Sequence, residues 1–152
     1  QNVDSDDLQN AFEDETGMDL TWFWNEWVYK GGEPSYQVEF NEVLDQGKKS
    51  SQFIVNQIHE RNEVIGLFKM PIKFQVFYED GTKDEVVEII ENEYHQVVIP
   101  NRNSKPISYV LFDPNSEVLK TVQFKKSLKM LENQAFKAVN MIDRYDAVLA
   151  MN

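Results

Sequence analysis

The sequence predicts a mainly β protein: an immunoglobulin-like antiparallel β-sandwich flanked by an N-terminal helical segment and a C-terminal helical segment. Three observations lead there. Apolar residues recur every three and four positions up to residue 30 and again after 124, whereas between these limits they alternate with polar ones. The middle holds about seven short alternating runs separated by turn-forming residues, with no helical stretch among them. Pro71, Pro100, Pro106 and Pro114 fall at the ends of those runs, where a missing N–H does least harm.

The first helical segment covers residues 5–30. Ser5 is the predicted N-cap, and Asp6 and Asp7 suit the positive end of the helix dipole. Leu8, Ala11, Phe12 and Glu15 are spaced for one face before Thr16-Gly17 interrupts. Asp19 can cap a second helix, in which Leu20, Phe23, Trp24, Trp27 and Val28 share a stripe. Lys30 complements the C-terminal dipole, Gly31 suits a left-handed cap and Pro34 forbids continuation. All three tryptophans lie here, and Trp22 is the one expected to face solvent or a partner because it falls off the stripe.

From Tyr36 the period becomes two: Tyr36, Val38 and Phe40 alternate with polar residues, as do Ile72, Phe74, Val76 and Tyr78. The second run enters Asp80-Gly81, a two-residue hairpin signal. Further strands are expected at 52–58, 84–90, 94–99, 107–112 and 118–124. Beyond Phe124 the helical period returns through Leu128, Leu131, Ala135, Ala138, Ile142, Tyr145 and Leu149. A second stripe of Phe136, Val139, Met141 and Val148 widens the apolar surface. Asn140 followed by Asp143 is compatible with a new helix start, so one bent helix and a helix pair both fit.

Composition narrows the function classes. The 152 residues suit one domain, or one domain with extra pieces, and 41% hydrophobic with 12% aromatic content supplies a packed core. A net charge of −11 repels phosphate backbones, which argues against nucleic acid or an anionic membrane as partner. Asp4, Asp6, Asp7, Glu13, Asp14, Glu15 and Asp19 crowd the start, and Lys120, Lys125, Lys126 and Lys129 cluster near the other end. Both groups read as solvated helix faces. Without cysteine there is no disulfide, thiol nucleophile or iron–sulfur cluster. The opening on Gln1, just before a helix, and the stop at Asn152 with no capping glycine both read as the ends of a fragment.

Catalytic constellations are not apparent. The string HERNE, His59 to Glu63, ends in Glu63 where a helical zinc motif needs a second histidine, and it sits at a strand end. The remaining histidine is His95. No glycine-rich phosphate loop and no G-x-S-x-G elbow occurs.

One stretch carries more specific information. The segment DDLQNAFEDETGMDLTWFWNEWVYKGGEPSYQVEF resembles the end of the catalytic domain of the aminopeptidase-N-like zinc metallopeptidases. The features in question are Phe12, Glu15, Thr16-Gly17, Asp19-Leu20, Trp22-Phe23, Trp27, Gly32 and Pro34. The stretch FKMPIKFQVFYEDG and the region from Phe112 to Met151, with Asp113-Pro114, Gln134, Asp143-Arg144 and Ala147, are similar to later parts of the same family more loosely.

The resemblance implies that residues 1–33 are the helical end of a catalytic domain. It makes 34–124 the sandwich domain and 125–152 the start of a C-terminal helical domain. The family's H-E-x-x-H and distant Glu, its G-x-M-E-N strand and its catalytic Tyr have no counterpart among these residues. No catalytic, cofactor-binding or metal-ligating residue is therefore carried over, and zinc belongs to the parent. The implied function is a noncatalytic spacer of a zinc aminopeptidase, with the parent's remaining domains as partners and peptides as the parent's substrates. Separated from those domains, the helical segments are expected to fold onto the sandwich or to self-associate. The alternative is a free-standing β-sandwich module that stacks a carbohydrate or peptide on Trp22, Trp24 and Trp27.

Overall fold

The computed structural model describes residues 4–151; Gln1, Asn2, Val3 and Asn152, on which the readings of the two ends partly rest, lie outside that range. Helix α1 spans Ser5–Thr16 and α2 Thr21–Trp27. Seven strands follow: β1 Ser35–Asp45, β2 Lys48–Gln57, β3 Met70–Tyr78, β4 Lys83–Ile90, β5 Tyr94–Asn101, β6 Ile107–Phe112 and β7 Thr121–Phe124. A 3₁₀ turn, Pro114–Ser116, joins the last two. Helices α3, Leu128–Lys137, and α4, Met141–Ala150, close the chain. No helix among the described residues is long and apolar enough to cross a membrane.

The N-cap of α1 is Asp4, not Ser5. Its carboxylate accepts the N–H of Asp6 at 3.1 Å and of Asp7 at 3.0 Å, while the Asp7 carboxylate returns to the Asp4 N–H at 3.2 Å. Only a cap placed one residue earlier closes that reciprocal box. Gly17, at φ 67°, ends the helix and donates to the Glu13 carbonyl. The left-handed glycine after α2 is Gly32, at φ 89°, rather than Gly31. A Cβ on Gly32 would stand 3.0 Å from Ile65 Cδ1, so a side chain there would strain the backbone and press on Ile65.

The strands sort into two sheets, ordered β5-β2-β1-β7 and β4-β3-β6. Alternation drives this: Tyr36 and Val38, Phe53 and Val55, Phe74 and Val76, and Val110 and Phe112 all turn into one core. The sheets meet through rings, with Phe53 5.1 Å from Phe74 and Tyr36 5.4 Å from Phe112. One pairing departs from the antiparallel expectation. Strand β7 runs parallel to β1, matching Ser35–Val38 with Thr121–Phe124. The chain reaches it by crossing over from β6 in the other sheet, and such a crossover permits a parallel entry that a hairpin does not.

Turn chemistry explains the remaining shifts of boundary. Strands β1 and β2 form one long hairpin because Gln46 and Gly47, at φ 47° and 78°, make the two-residue turn that matches strand twist. Asp80-Gly81 closes a longer loop than expected: Tyr78 N–H donates to the Thr82 carbonyl at 2.9 Å, leaving three residues between them. The last strand starts at Thr121 instead of 118 because residues 114–116 are taken up by the 3₁₀ turn. After α3, Ala138 and Asn140 are extended, at ψ 141° in both cases, so the C-terminal segment is a helix pair. Strand β6 is buried on both sides, its Val110 and Phe112 facing the sandwich and its Tyr109 and Leu111 facing a smaller cluster with Ala138 and Met130.

Truncating Phe53, which is 0% exposed, to Ala should cost about 3–5 kcal/mol in urea unfolding. Phe136→Ala, at a residue 86% exposed, should cost less than about 0.5 kcal/mol in the same measurement.

Candidate functional site

Where β6 leaves the core the backbone is forced into an uncommon path. Asp113, Asn115 and Ser116 all have positive φ, at 51°, 67° and 50°, although none is glycine. Hydrogen bonds over-determine this corner. Asp113 N–H donates to the Lys73 carbonyl at 2.8 Å, and its carboxylate accepts the Val118 N–H at 3.0 Å and the Lys120 ammonium. The Lys120 and Asp113 side chains are 5% and 2% exposed, so this ion pair is buried.

Helix α4 is joined to the same corner through Asp143. One of its carboxylate oxygens accepts the Asn115 N–H at 2.9 Å, and the other accepts the Asn140 amide at 3.0 Å. The Asp143 carbonyl accepts Gln134 Nε2 at 2.6 Å, and Gln134 Oε1 accepts Lys126 Nζ at 2.6 Å. Lys126 also donates to the Val110 carbonyl of β6 at 2.8 Å and lies 4.5 Å from the centre of the Phe124 ring. A relay thus runs from β6 through Lys126, Gln134 and Asp143 back to the 3₁₀ turn. Beside it lies a cavity of about 490 Å³ lined by Asp113, Lys120, Lys126, Gln134, Asp143 and Asp146.

Burial lowers the Lys126 ammonium to about 7, against the opposing pull of Asp143 and Asp146. Burial and the nearby Asp143 charge raise Asp146. Ser116 Oγ lies 3.4 Å from Lys120 Nζ, yet that ammonium also serves Asp113 and the Val118 carbonyl at 3.2 Å. It acts as a donor and not as a base for the hydroxyl. The chemistry of this site is electrostatic fastening of a helix pair to a sheet.

Lys120 and Lys126 correct the expectation of a solvated basic face, because both are drawn inward by carboxylate and carbonyl acceptors. Lys125 and Lys129 remain exposed, as expected. Asp113, Gln134 and Asp143, which the family resemblance picked out, are brought together. A sequence signal did exist for Asp143, the Asn140-to-Asp143 spacing, but nothing in composition marks a lysine that will be buried.

His59 lies in the β2–β3 connection, outside any helix. Its Nε2 is 2.8 Å from the Gly66 carbonyl, and its ring packs on Phe68 at 5.2 Å. His95 stands in β5 opposite Val55. The two histidines stand in different elements, and among the described residues no three His, Cys, Asp or Glu side chains are grouped to hold a metal ion. A second cavity, of about 420 Å³, adjoins Tyr78, Asp84, Arg102 and Lys105, with Tyr78 OH donating to Asp84 at 2.7 Å.

The tryptophans are packed between layers. Trp24 is buried and donates to the Ser5 carbonyl at 3.1 Å, with its ring 6.1 Å from Phe12 on α1. Trp27 packs on Phe68 at 5.3 Å, and Trp22 lies partly buried against the sandwich core. Phe23 and Val28, which the stripe was expected to bury, are exposed, and Trp22 takes the inward place. The reason is that α2 lies between α1 and the sandwich and has two faces to fill. Glu26 fastens it further, both carboxylate oxygens accepting the Lys69 N–H at 3.0 Å.

No family model matches the sequence, and no curated protein matches it. Among solved structures, aminopeptidase A of Legionella pneumophila, crystallised in complex with aspartic acid, superposes with a TM-score of 0.72 at 17% identity. The match covers 95% of this chain. The fold is aminopeptidase-related. The chain spans 16% of the length of that Legionella protein, so the likeness is to one portion of it.

Asp113→Ala should cost about 3–5 kcal/mol in urea unfolding, because it leaves the Lys120 ammonium buried without its partner. Asp113→Asn combined with Lys120→Met should recover more than half of that loss.

A lysine depressed in the folded state makes the unfolded chain the stronger proton binder between about pH 7 and the ordinary lysine value. Wild-type stability should therefore rise relative to Lys126→Met from pH 7 to pH ~10, as read by urea midpoints. A flat difference would show that Lys126 stays charged on folding.

Proposed function

We propose that this chain is the noncatalytic β-sandwich spacer of a zinc-dependent aminopeptidase. In this reading residues 34–124 are an immunoglobulin-like sandwich domain, 1–33 the helical end of the catalytic domain and 125–152 the start of a C-terminal helical domain. The parent removes N-terminal residues from peptides, with its zinc held in the catalytic domain. This part holds the flanking domains in fixed relation.

The observation that carries the reading is the coverage: nearly the whole chain, 95%, is like 16% of an aminopeptidase. The junction motif around Thr16-Gly17 and Trp22-Phe23 supports the same placement. The fastenings suit a spacer, since Glu26 ties α2 to the start of β3 and the Asp113–Asp143 network ties the helix pair to β6. Both ends of the sandwich are thereby locked to a helical neighbour.

After metal-free purification, elemental analysis should find far less than one zinc per chain, and aminoacyl-arylamide substrates should stay intact. Stoichiometric zinc would defeat the proposal. The coding sequence upstream should encode an H-E-x-x-H with a further Glu downstream of it.

A further inference from the structure

The outer face of the β5-β2-β1-β7 sheet differs in chemistry from the rest of this acidic surface. Tyr36, Val38, Phe53, Val55 and Val97 turn into the core, so their neighbours along each strand turn out. The register sets those neighbours in rows across the sheet. Gln123, Gln37, Asn56 and Tyr94 form one row. Glu39, Ile54 and Gln96 form the next, and Asn41, Gln52 and Val98 a third. Glu39 is the one charge among these ten residues, in a chain of which 27% is charged. Six of the ten are amides. Among the described residues their side chains have one hydrogen-bond partner, the Tyr94 hydroxyl, 3.4 Å from Gln96 Oε1. A cavity of about 370 Å³ indents the face where β7 ends, lined by Gln37, Glu39, Asn41, Gln123 and Lys125. Both helical segments lie elsewhere, α2 against Phe68 and the helix pair against β6 of the other sheet.

Each feature removes a class of occupant. Nucleic acid and anionic lipid need an excess of cations, and here Glu39 offsets Lys125. A protein hot spot is built on Trp, Tyr or Arg near the centre of a contact, whereas the rows hold one Tyr, at the edge strand. Free amides match a partner that offers donors and acceptors without charge, because each amide donates two hydrogens and accepts at its oxygen. A sugar hydroxyl offers both. Adjacent strands stand about 4.8 Å apart, close to the length of one pyranose ring in an extended chain. A glycan laid across the sheet therefore brings one ring to each strand, and the exposed Tyr94 supplies a ring to stack on at the edge.

We infer that this face binds a neutral polysaccharide, laid across β7, β1, β2 and β5 over the row of Gln123, Gln37, Asn56 and Tyr94. The site uses none of the tryptophans. It does not rest on the aminopeptidase reading, which zinc content and the upstream sequence decide separately.

Native electrophoresis of the chain through gels containing hydroxyethylcellulose, glucomannan, xylan or dextran tests it, with polygalacturonate and gelatin as acidic and peptidic controls. At least one of the four neutral polymers should retard the chain, with a dissociation constant of ~1 mM or below in sugar units. Gln37→Ala, Asn56→Ala and Tyr94→Ala should each weaken that retardation ~5-fold or more. Their far-UV circular dichroism should be unchanged, and Phe136→Ala should be retarded like the wild type. No retardation by any of the four, retardation that the three face variants leave intact, retardation that Phe136→Ala removes, or retardation by polygalacturonate or gelatin alone would each overturn the inference.

Discussion

A carboxylate withdrawn from water at the end of β6 organises the second half of this molecule. Asp113 holds a left-handed backbone turn, accepts the Val118 N–H and neutralises Lys120, all with almost no exposure. An ion pair in such a place gains little over an apolar substitute, because desolvation offsets most of the Coulomb attraction. Its worth is geometric. It fixes the direction in which the chain leaves one sheet, crosses the edge and enters the other beside β1. The Asn115 N–H, turned outward by the same corner, is then in place to receive Asp143 and bring α4 down.

The N-terminal half is fastened by a different logic. There the link is mainly aromatic, with α2 wedged between α1 and the core, donating the Trp24 indole to a helix-start carbonyl and adding one carboxylate, Glu26, on the Lys69 N–H. Burial of rings gives area without the desolvation cost of charge. Among the described residues Trp27 Nε1, Tyr36 OH and Ser51 Oγ are buried and find no hydrogen-bond partner, a polar cost carried by this otherwise apolar packing. The two ends of the sandwich therefore differ in what chiefly disturbs them: cavity formation at one, loss of a charge partner at the other.

The strands were legible in the sequence because alternation is a local property: Tyr36, Val38, Phe74 and Val76 declare their face without reference to anything distant. Turns with an unusual residue were less so. Gln46 at positive φ hid the β1–β2 hairpin, since glutamine is not a turn signal. The parallel β7 pairing was invisible because it depends on a crossover fixed by Asp113 and Lys120, a contact seven residues apart with no periodic signature. The helix pair inverted the usual inference. Its apolar spacing predicted a packed face, and Leu131 and Ala138 do pack, but Tyr145 and Leu149 face out because Asp143 has stronger partners inward. The network around the cavity was half legible: its acidic and amide members were marked by resemblance, whereas Lys120 and Lys126 looked like ordinary surface charge.

Strand β1 has one more property that bears on the life of the chain in a crowded solution. Its residues pair with β2 along the whole length, but β7 covers only Ser35–Val38. From residue 39 onward one side of its backbone has no strand beside it among the described residues, and Glu39, Glu42 and Asp45 stand along that stretch. A bare backbone edge is a template for foreign strands, and like charges at its margin are a common guard against them. Ionised carboxylates make the edge repel another copy of an equally acidic chain. Glutamate and aspartate thus serve this fold along a margin where no strand packs, by keeping a strand-shaped template closed to strangers.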